Sequence, residues 1–163
     1  MERAELESEL RTHHVASFGW ALSCCRDDPH SAEDVLHETY LRVLDGRARF
    51  RGESAFRTWL FGVIRQVARA ARRRAALRNL LLLRAYAAEP PPLAGDAPPE
   101  AALRTALRQL PTRQREVLML VFYQELTIAE AAQALGIALG TARAHYERGK
   151  AALRTALGVE AAP

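Results

Sequence analysis

Lysine is almost absent from this chain of 163 residues: of 23 basic side chains, only Lys150 is not arginine. Arginine is the better bidentate binder of phosphate and carboxylate. Cysteine is scarce too. Cys24 and Cys25 are neighbours, and adjacent cysteines rarely bridge because that ring needs a strained peptide. A disulfide scaffold is thereby excluded, and reduced, partly buried thiols are expected, as in a cytosolic protein. No apolar run approaches the ~18 residues of a membrane span, so no membrane insertion is expected. The N-terminal MERAELESEL is charged and helical, unlike a secretory leader. A cytoplasmic location is expected. Glycine-rich phosphate loops, nucleophile triads and metal-ligand spacings are also missing. The chain is expected to catalyse nothing itself and to need neither cofactor nor metal.

What is present is an uneven charge map. Residues 1–60 hold 8 basic and 11 acidic side chains, whereas 61–84 hold 7 arginines and no acid. Residues 85–100 hold 3 acids and no base, and 101–163 return to 8 basic and 5 acidic. Such asymmetry points to separate surfaces for a protein partner and a polyanion.

The pattern is all-α throughout. Glu2 to about Cys25 fits one amphipathic helix, with Leu6, Leu10, Phe18 and Leu22 on a stripe. Ser31-Ala32-Glu33-Asp34 reads as a capping box for the next helix. Leu36, Tyr40, Val43 and Leu44 are its buried stripe, and Asp34, Glu38 and Arg42 share another face at i, i+4, i+8. That face fits a docking surface or a merely solvated one equally well. After Asp45-Gly46 comes a loop in which Phe50 sits among Arg47, Arg49 and Arg51. An aromatic among cations can stack an unpaired base while the charges hold phosphates, or it can anchor the loop in the core. Ser54 then reads as the cap of a helix running to about Arg84. Phe56, Leu60, Val63, Val67, Ala70 and Ala71 form its apolar stripe, with Trp59 and Gln66 flanking it. Arg65, Arg69, Arg72 and Arg73 fall opposite, and a run of one sign points to a polyanion.

Residues 85–100 carry Pro90-Pro91-Pro92, Gly95 and Pro98-Pro99. They read as an extended, semi-rigid linker between two small helical domains, 1–84 and 101–163. In the second domain, Leu103, Leu107 and Leu110 mark a short helix and Thr112 is a candidate cap for the next. Val117, Leu118, Leu120, Val121 and Phe122 give that helix an apolar body. Thr127-Ile128-Ala129-Glu130 is a capping box, and Gly136 ends the short helix it opens. A last helix runs from about Leu139 to Leu157. Capped helix, glycine turn and a second helix form a helix-turn-helix. Its second helix presents Thr141, Arg143, His145, Tyr146, Arg148 and Lys150, where a recognition helix meets base edges and phosphates.

Two blocks now carry a family resemblance. AEDVLHETYLRVL with FRGESAFRTWLFGVIRQVAR resembles the second conserved region of group IV, extracytoplasmic-function (ECF) sigma factors of the sigma-70 family. LRQLPTRQREVLMLVFYQELTIAEAAQALGIALGTARAHYERGKAAL resembles the fourth. The resemblance implies a factor that binds core RNA polymerase and directs promoter recognition and melting. Asp34, Glu38 and Arg42 would dock on the polymerase. Phe50, Arg51, Trp59, Arg65, Gln66 and Arg69 would hold the minus-ten element, with a flipped base caught near Phe50. Thr141, Arg143, His145, Tyr146, Arg148 and Lys150 would meet the minus-thirty-five element. His37 stands where the family has Gln, Gln66 where Asn is frequent, Ala144 where Ser is common and His145 where Arg is common. The implied partners are core polymerase, promoter DNA and an anti-sigma factor.

Two other readings compete. A stand-alone helix-turn-helix regulator explains 101–163 but leaves the arginine helix and Phe50 loop idle. A metal-dependent enzyme using His30, Asp34, His37 and Glu38 has no evident water-activating base.

Overall fold

A computed structural model describes residues 2–83 and 99–158. Most of the linker expected at 85–100, and so the domain boundary itself, lies outside the described residues. Those described form eight α-helices, one π-helical turn and no strand.

The single N-terminal helix expected from the sequence is two. α1 spans Arg3–Thr12 and α2 spans His14–Cys24, broken at His13, whose φ/ψ of −98°/8° leaves the helical region. α3 spans Pro29–Leu44. Its cap is Asp28, not Ser31: the Asp28 carboxylate accepts from the Ser31 backbone N–H, and Pro29 occupies the first helical position. Proline is favoured there because the N–H it lacks would be an orphan anyway. α4 spans Phe56–Leu83. Ser54 does not cap it, for its hydroxyl donates to the Ala55 carbonyl.

These helices close around large side chains. Trp20, Leu60, Phe61, Ile64 and Val67 are almost wholly removed from solvent. The Trp20 indole N–H donates to the Phe61 carbonyl at 3.0 Å, tying α2 to α4. Arg72 donates to the Cys24 carbonyl at 2.8 Å from the next turns of the same pair. Burial pushes the Cys24 thiol pKa well up, so it stays a protonated core residue. Both cysteines are free, Cys25 being half-buried.

The second half begins with α5, Pro99–Gln109, and α6, Thr112–Leu118. Pro111 occupies the cap position of α6, and no side chain caps it, Thr112 included. A π-helical turn, Met119–Tyr123, follows. The bulge rotates Phe122 outward to 56% exposure instead of into an apolar body. α7, Ile128–Leu135, and α8, Leu139–Ala156, complete a helix-turn-helix. The Thr127–Glu130 capping box is present, and Gly136 turns the chain in the left-handed region at φ 62°.

The halves share one core. A continuous apolar cluster runs from Leu10 through Phe61 and Ile64 to Val117, Ala131 and Leu135. α4 therefore packs on α2 and α3 along one side and on α7 along another. Sequence periodicity assigned it only the first.

Candidate nucleic-acid interface

Three surfaces gather the residues singled out above. The first is a groove of about 730 Å³ between α3 and the second half of α4. Asp34 and Glu38 line it from α3, and Arg69, Arg72, Arg73, Arg74 and Arg78 from α4. The acidic stripe and the arginine ridge, expected on separate surfaces, are two walls of one groove. Asp34 is free to meet a partner, its side chain 73% exposed with His30 3.9 Å away. Glu38 is tied down: the Arg42 guanidinium donates to it at 2.7 Å. That bond, with the charges of Arg42, Arg47 and Arg74, holds its carboxyl below the ordinary range. Asp34, Glu38 and Arg42 thus share a solvent-facing side of α3, as their spacing requires.

The second surface is a cleft of about 640 Å³. Arg47, Arg49, Phe50 and Arg51 form its mouth, and Trp59, Gly62, Arg65 and Gln66 its α4 wall. Phe50 packs edge-on against Phe56 at 5.3 Å and against Trp59 at the same centroid distance. It is half-buried in an aromatic trio. The trio therefore anchors the loop and fixes the Phe50 ring at the cleft.

Arg65 requires a correction. Its position opposite the apolar stripe implied an exposed cation beside Arg69. Instead its side chain and that of Glu116 are each only 7% exposed, joined at 2.9 Å. A second bond reaches the Leu135 carbonyl at 3.5 Å. Arg113 closes on the other Glu116 oxygen at 3.4 Å. Arg69 stays open to solvent, its pKa lowered first by the neighbouring Arg65 charge. Gln66 is also exposed.

The opposite wall of this cleft comes from the other half of the chain: Gln133, Ala134, Leu135 and Gly136. Contact is close enough that a Cβ on Gly62 would meet the Ala134 carbonyl oxygen at 3.2 Å. Sequence reasoning found neither Glu116 nor Gly62. Glu116 did leave a trace, because it lies one turn before the buried Leu120. An acid on an inward face needs a cationic partner.

The third surface is the outer side of α8. Thr141, Arg143 and Arg148 are exposed, and His145 is intermediate. Tyr146 departs from the expected set: it packs against the core and stacks on Phe122 at 5.8 Å. Lys150 lies 4.9 Å over its ring and 4.0 Å from Glu147. Tyr146 and Lys150 thus brace the helix from its flank. Among the described residues no cluster of three metal-ligating side chains occurs, and no helix is long and apolar enough to cross a membrane.

The profile of Sigma-70 region 2 matches residues 10–78, and that of Sigma-70, region 4 matches residues 100–153. ECF RNA polymerase sigma factor SigX of Bacillus subtilis (strain 168) is 31% identical over 137 residues, 78% of this chain and 71% of that one. SigL of Mycobacterium tuberculosis (strain CDC 1551 / Oshkosh) is 32% identical over 162 residues, 96% of this chain and 90% of that one. Among solved structures, the sigma factor RpoE bound to the anti-sigma factor NepR, from Bartonella quintana, aligns with a TM-score of 0.77. It is 22% identical and the alignment covers 96% of this chain and 99% of that one. CnrH in complex with the cytosolic domain of CnrY aligns at 0.69 and 23% identity, over 98% and 92% of the two chains.

Proposed function

Because the chain belongs to the ECF RNA polymerase sigma factors, which direct transcription initiation, we propose a division of that work among its three surfaces. Asp34, Glu38 and Arg42 dock on core polymerase. The Phe50 cleft, with Arg51, Trp59, Gln66 and Arg69, holds the opened minus-ten strand. Arg65 joins it only when its bond to Glu116 is broken. Thr141, Arg143, His145 and Arg148 read the minus-thirty-five duplex, with Tyr146 and Lys150 supporting them.

The observation that carries this reading is the aromatic trio at the mouth of an arginine-rimmed cleft. An extruded base needs a fixed π-face, and its flanking phosphates need cations. A stand-alone regulator has no use for that cleft. The chain works in the cytoplasm, supplies no chemistry of its own and leaves phosphoryl transfer to the polymerase. An anti-sigma factor is a further expected partner, as for RpoE.

Run-off transcription with purified bacterial core polymerase tests the whole. Wild-type chain should start transcripts that core alone does not. Asp34→Ala with Glu38→Ala should weaken core binding in pull-down titrations without lowering the melting temperature. Unchanged core affinity would remove α3 from the docking role.

A further inference from the structure

Arg65 is the one arginine of the α4 ridge that the second half of the chain takes for itself. Its ligands there are a carboxylate oxygen of Glu116 and the Leu135 carbonyl. The carbonyl belongs to the last turn of α7, the negative end of that helix. Around Glu116, cations are in excess: it bonds Arg65 and Arg113 directly, and its charge reaches Arg69. One carboxylate thus satisfies part of a cluster that would accept several anionic oxygens. The same contact puts Gln133 to Gly136 across the Phe50 cleft.

We propose that Glu116 is an internal competitor of nucleic acid, occupying the Arg65 guanidinium and holding α7 over the strand-binding cleft until phosphates displace it. The proposal rests on the cleft being a single-strand site, but not on polymerase. Displacement has an electrostatic logic. Guanidinium prefers bidentate pairing with carboxylate or phosphate, so the exchange replaces one charge-assisted bond by another. A single strand brings many phosphates and releases its counterions. In the closed chain, the apparent DNA affinity is reduced by the fraction that is open. The apolar core shared by the halves holds it closed, and two devices add to that: the ion pair, and the close fit of Gly62 under Ala134. The seam has a second, weaker tie at its edge, where Arg108 donates twice to Asp27 at 3.1 and 2.9 Å in exposed positions.

The test uses the full chain without polymerase and a fluorescein-labelled oligothymidylate, read by anisotropy at fixed salt. Glu116→Gln should bind the probe about tenfold more tightly than wild type if the closed form dominates by about that ratio. Ala134→Leu keeps every charge but wedges α7 away from α4, and should tighten binding as well. It carries the test if the Glu116 variant fails to fold by circular dichroism. Arg65→Gln also breaks the pair but removes the shared cation, so its gain should be absent or much smaller. Combining Arg65→Gln with Glu116→Gln should cancel the gain of the latter. The proposal is overturned if folded Glu116→Gln and Ala134→Leu bind no tighter than wild type. It is equally overturned if Arg65→Gln tightens binding as much as Glu116→Gln, for then no cation is contested. Run-off transcription by wild type, measured alongside, separates this failure from failure of the sigma-factor reading.

Discussion

Trp20, Phe61, Leu60 and Ile64 fill the middle of the N-terminal bundle, whereas Ala131, Ala132, Ala142 and the bare Cα of Gly149 fill the space between α6, α7 and α8. Both interiors are removed from solvent. The first is held by area, with large side chains spanning the gaps between α2, α3 and α4. The second also buries Val117, Leu118 and Leu120, but relies on proximity where α8 approaches α6, Gly149 leaving no room for a Cβ beside Leu118. The two respond oppositely to substitution: the first fails when atoms are removed, the second when they are added. The seam between the halves follows the second rule at Gly62 and Ala134, and adds a buried ion pair.

The largest effect that tests this contrast is expected at Trp20. Trp20→Ala removes a fully buried ring and its bond to the Phe61 carbonyl. A loss of about 3–5 kcal/mol is expected from comparable core truncations. That is a large share of the stability of a small protein. Urea unfolding checks it. A loss below about 1 kcal/mol would mean that the bundle tolerates a cavity where its area is supposed to be decisive.

Next in size is Gly149→Ala. A Cβ there would lie 2.8 Å from Leu118 Cδ1 and 3.3 Å from Gln114 Cβ. Leu118 is itself almost wholly buried and has little room to turn aside. Alanine raises helix propensity by up to about 1 kcal/mol, but overpacking costs about 1–3 kcal/mol. The second should win, leaving a net loss of about 1 kcal/mol in thermal unfolding. Gly140→Ala on the same helix is the contrast, since nothing lies within 4 Å of its Cβ. It should be neutral or stabilising by a few tenths of a kcal/mol. Equal effects at the two glycines would break the proximity argument.

What the sequence made legible divides along the same line. The Thr127–Glu130 box, the left-handed Gly136 and the shared face of Asp34, Glu38 and Arg42 were readable because each is decided within a few residues. Asp28-Pro29 held equally local information. The cap was placed at Ser31 instead, although an aspartate before a proline is a good helix start. The fate of Arg65 was not local. A helical wheel places it opposite Leu60, Val63 and Val67, and so outward, on the assumption that α4 packs on one side only. Its partner lies 51 positions away, and only the docking of α7 on α4 makes that side an interior. Tyr146 was misjudged for a related reason: the π-helical turn that brings Phe122 against it has no signature in apolar periodicity. Candidate surfaces carried on one element were legible, then, while the Arg65–Glu116 contact between two distant elements was not.

The smallest expected effect lies where the C-terminal half relies on a cap rather than on packing. α7 is only eight residues long, and its first turn is closed by Thr127 and Glu130. The Thr127 backbone N–H and hydroxyl both donate to Glu130 at 2.8 Å. Those bonds, the backbone one foremost, hold the Glu130 carboxyl below its ordinary range. A carboxyl whose pKa is lowered by folding stabilises the fold above its unfolded value. That contribution fades as pH falls through the ordinary carboxylate range toward the lowered folded value. Glu130 is well solvated, so its share is small. Glu130→Gln keeps an acceptor for the box and should cost only a few tenths of a kcal/mol at neutral pH. Its signature is instead a shallower acid limb when melting temperature is followed below pH 5. Thr127→Ala, which removes the cap itself, should cost about 1 kcal/mol at neutral pH. An acid limb identical in wild type and Glu130→Gln would show that α7 is held by Ala131, Ala134 and Leu135 alone, and that proximity suffices there without the cap.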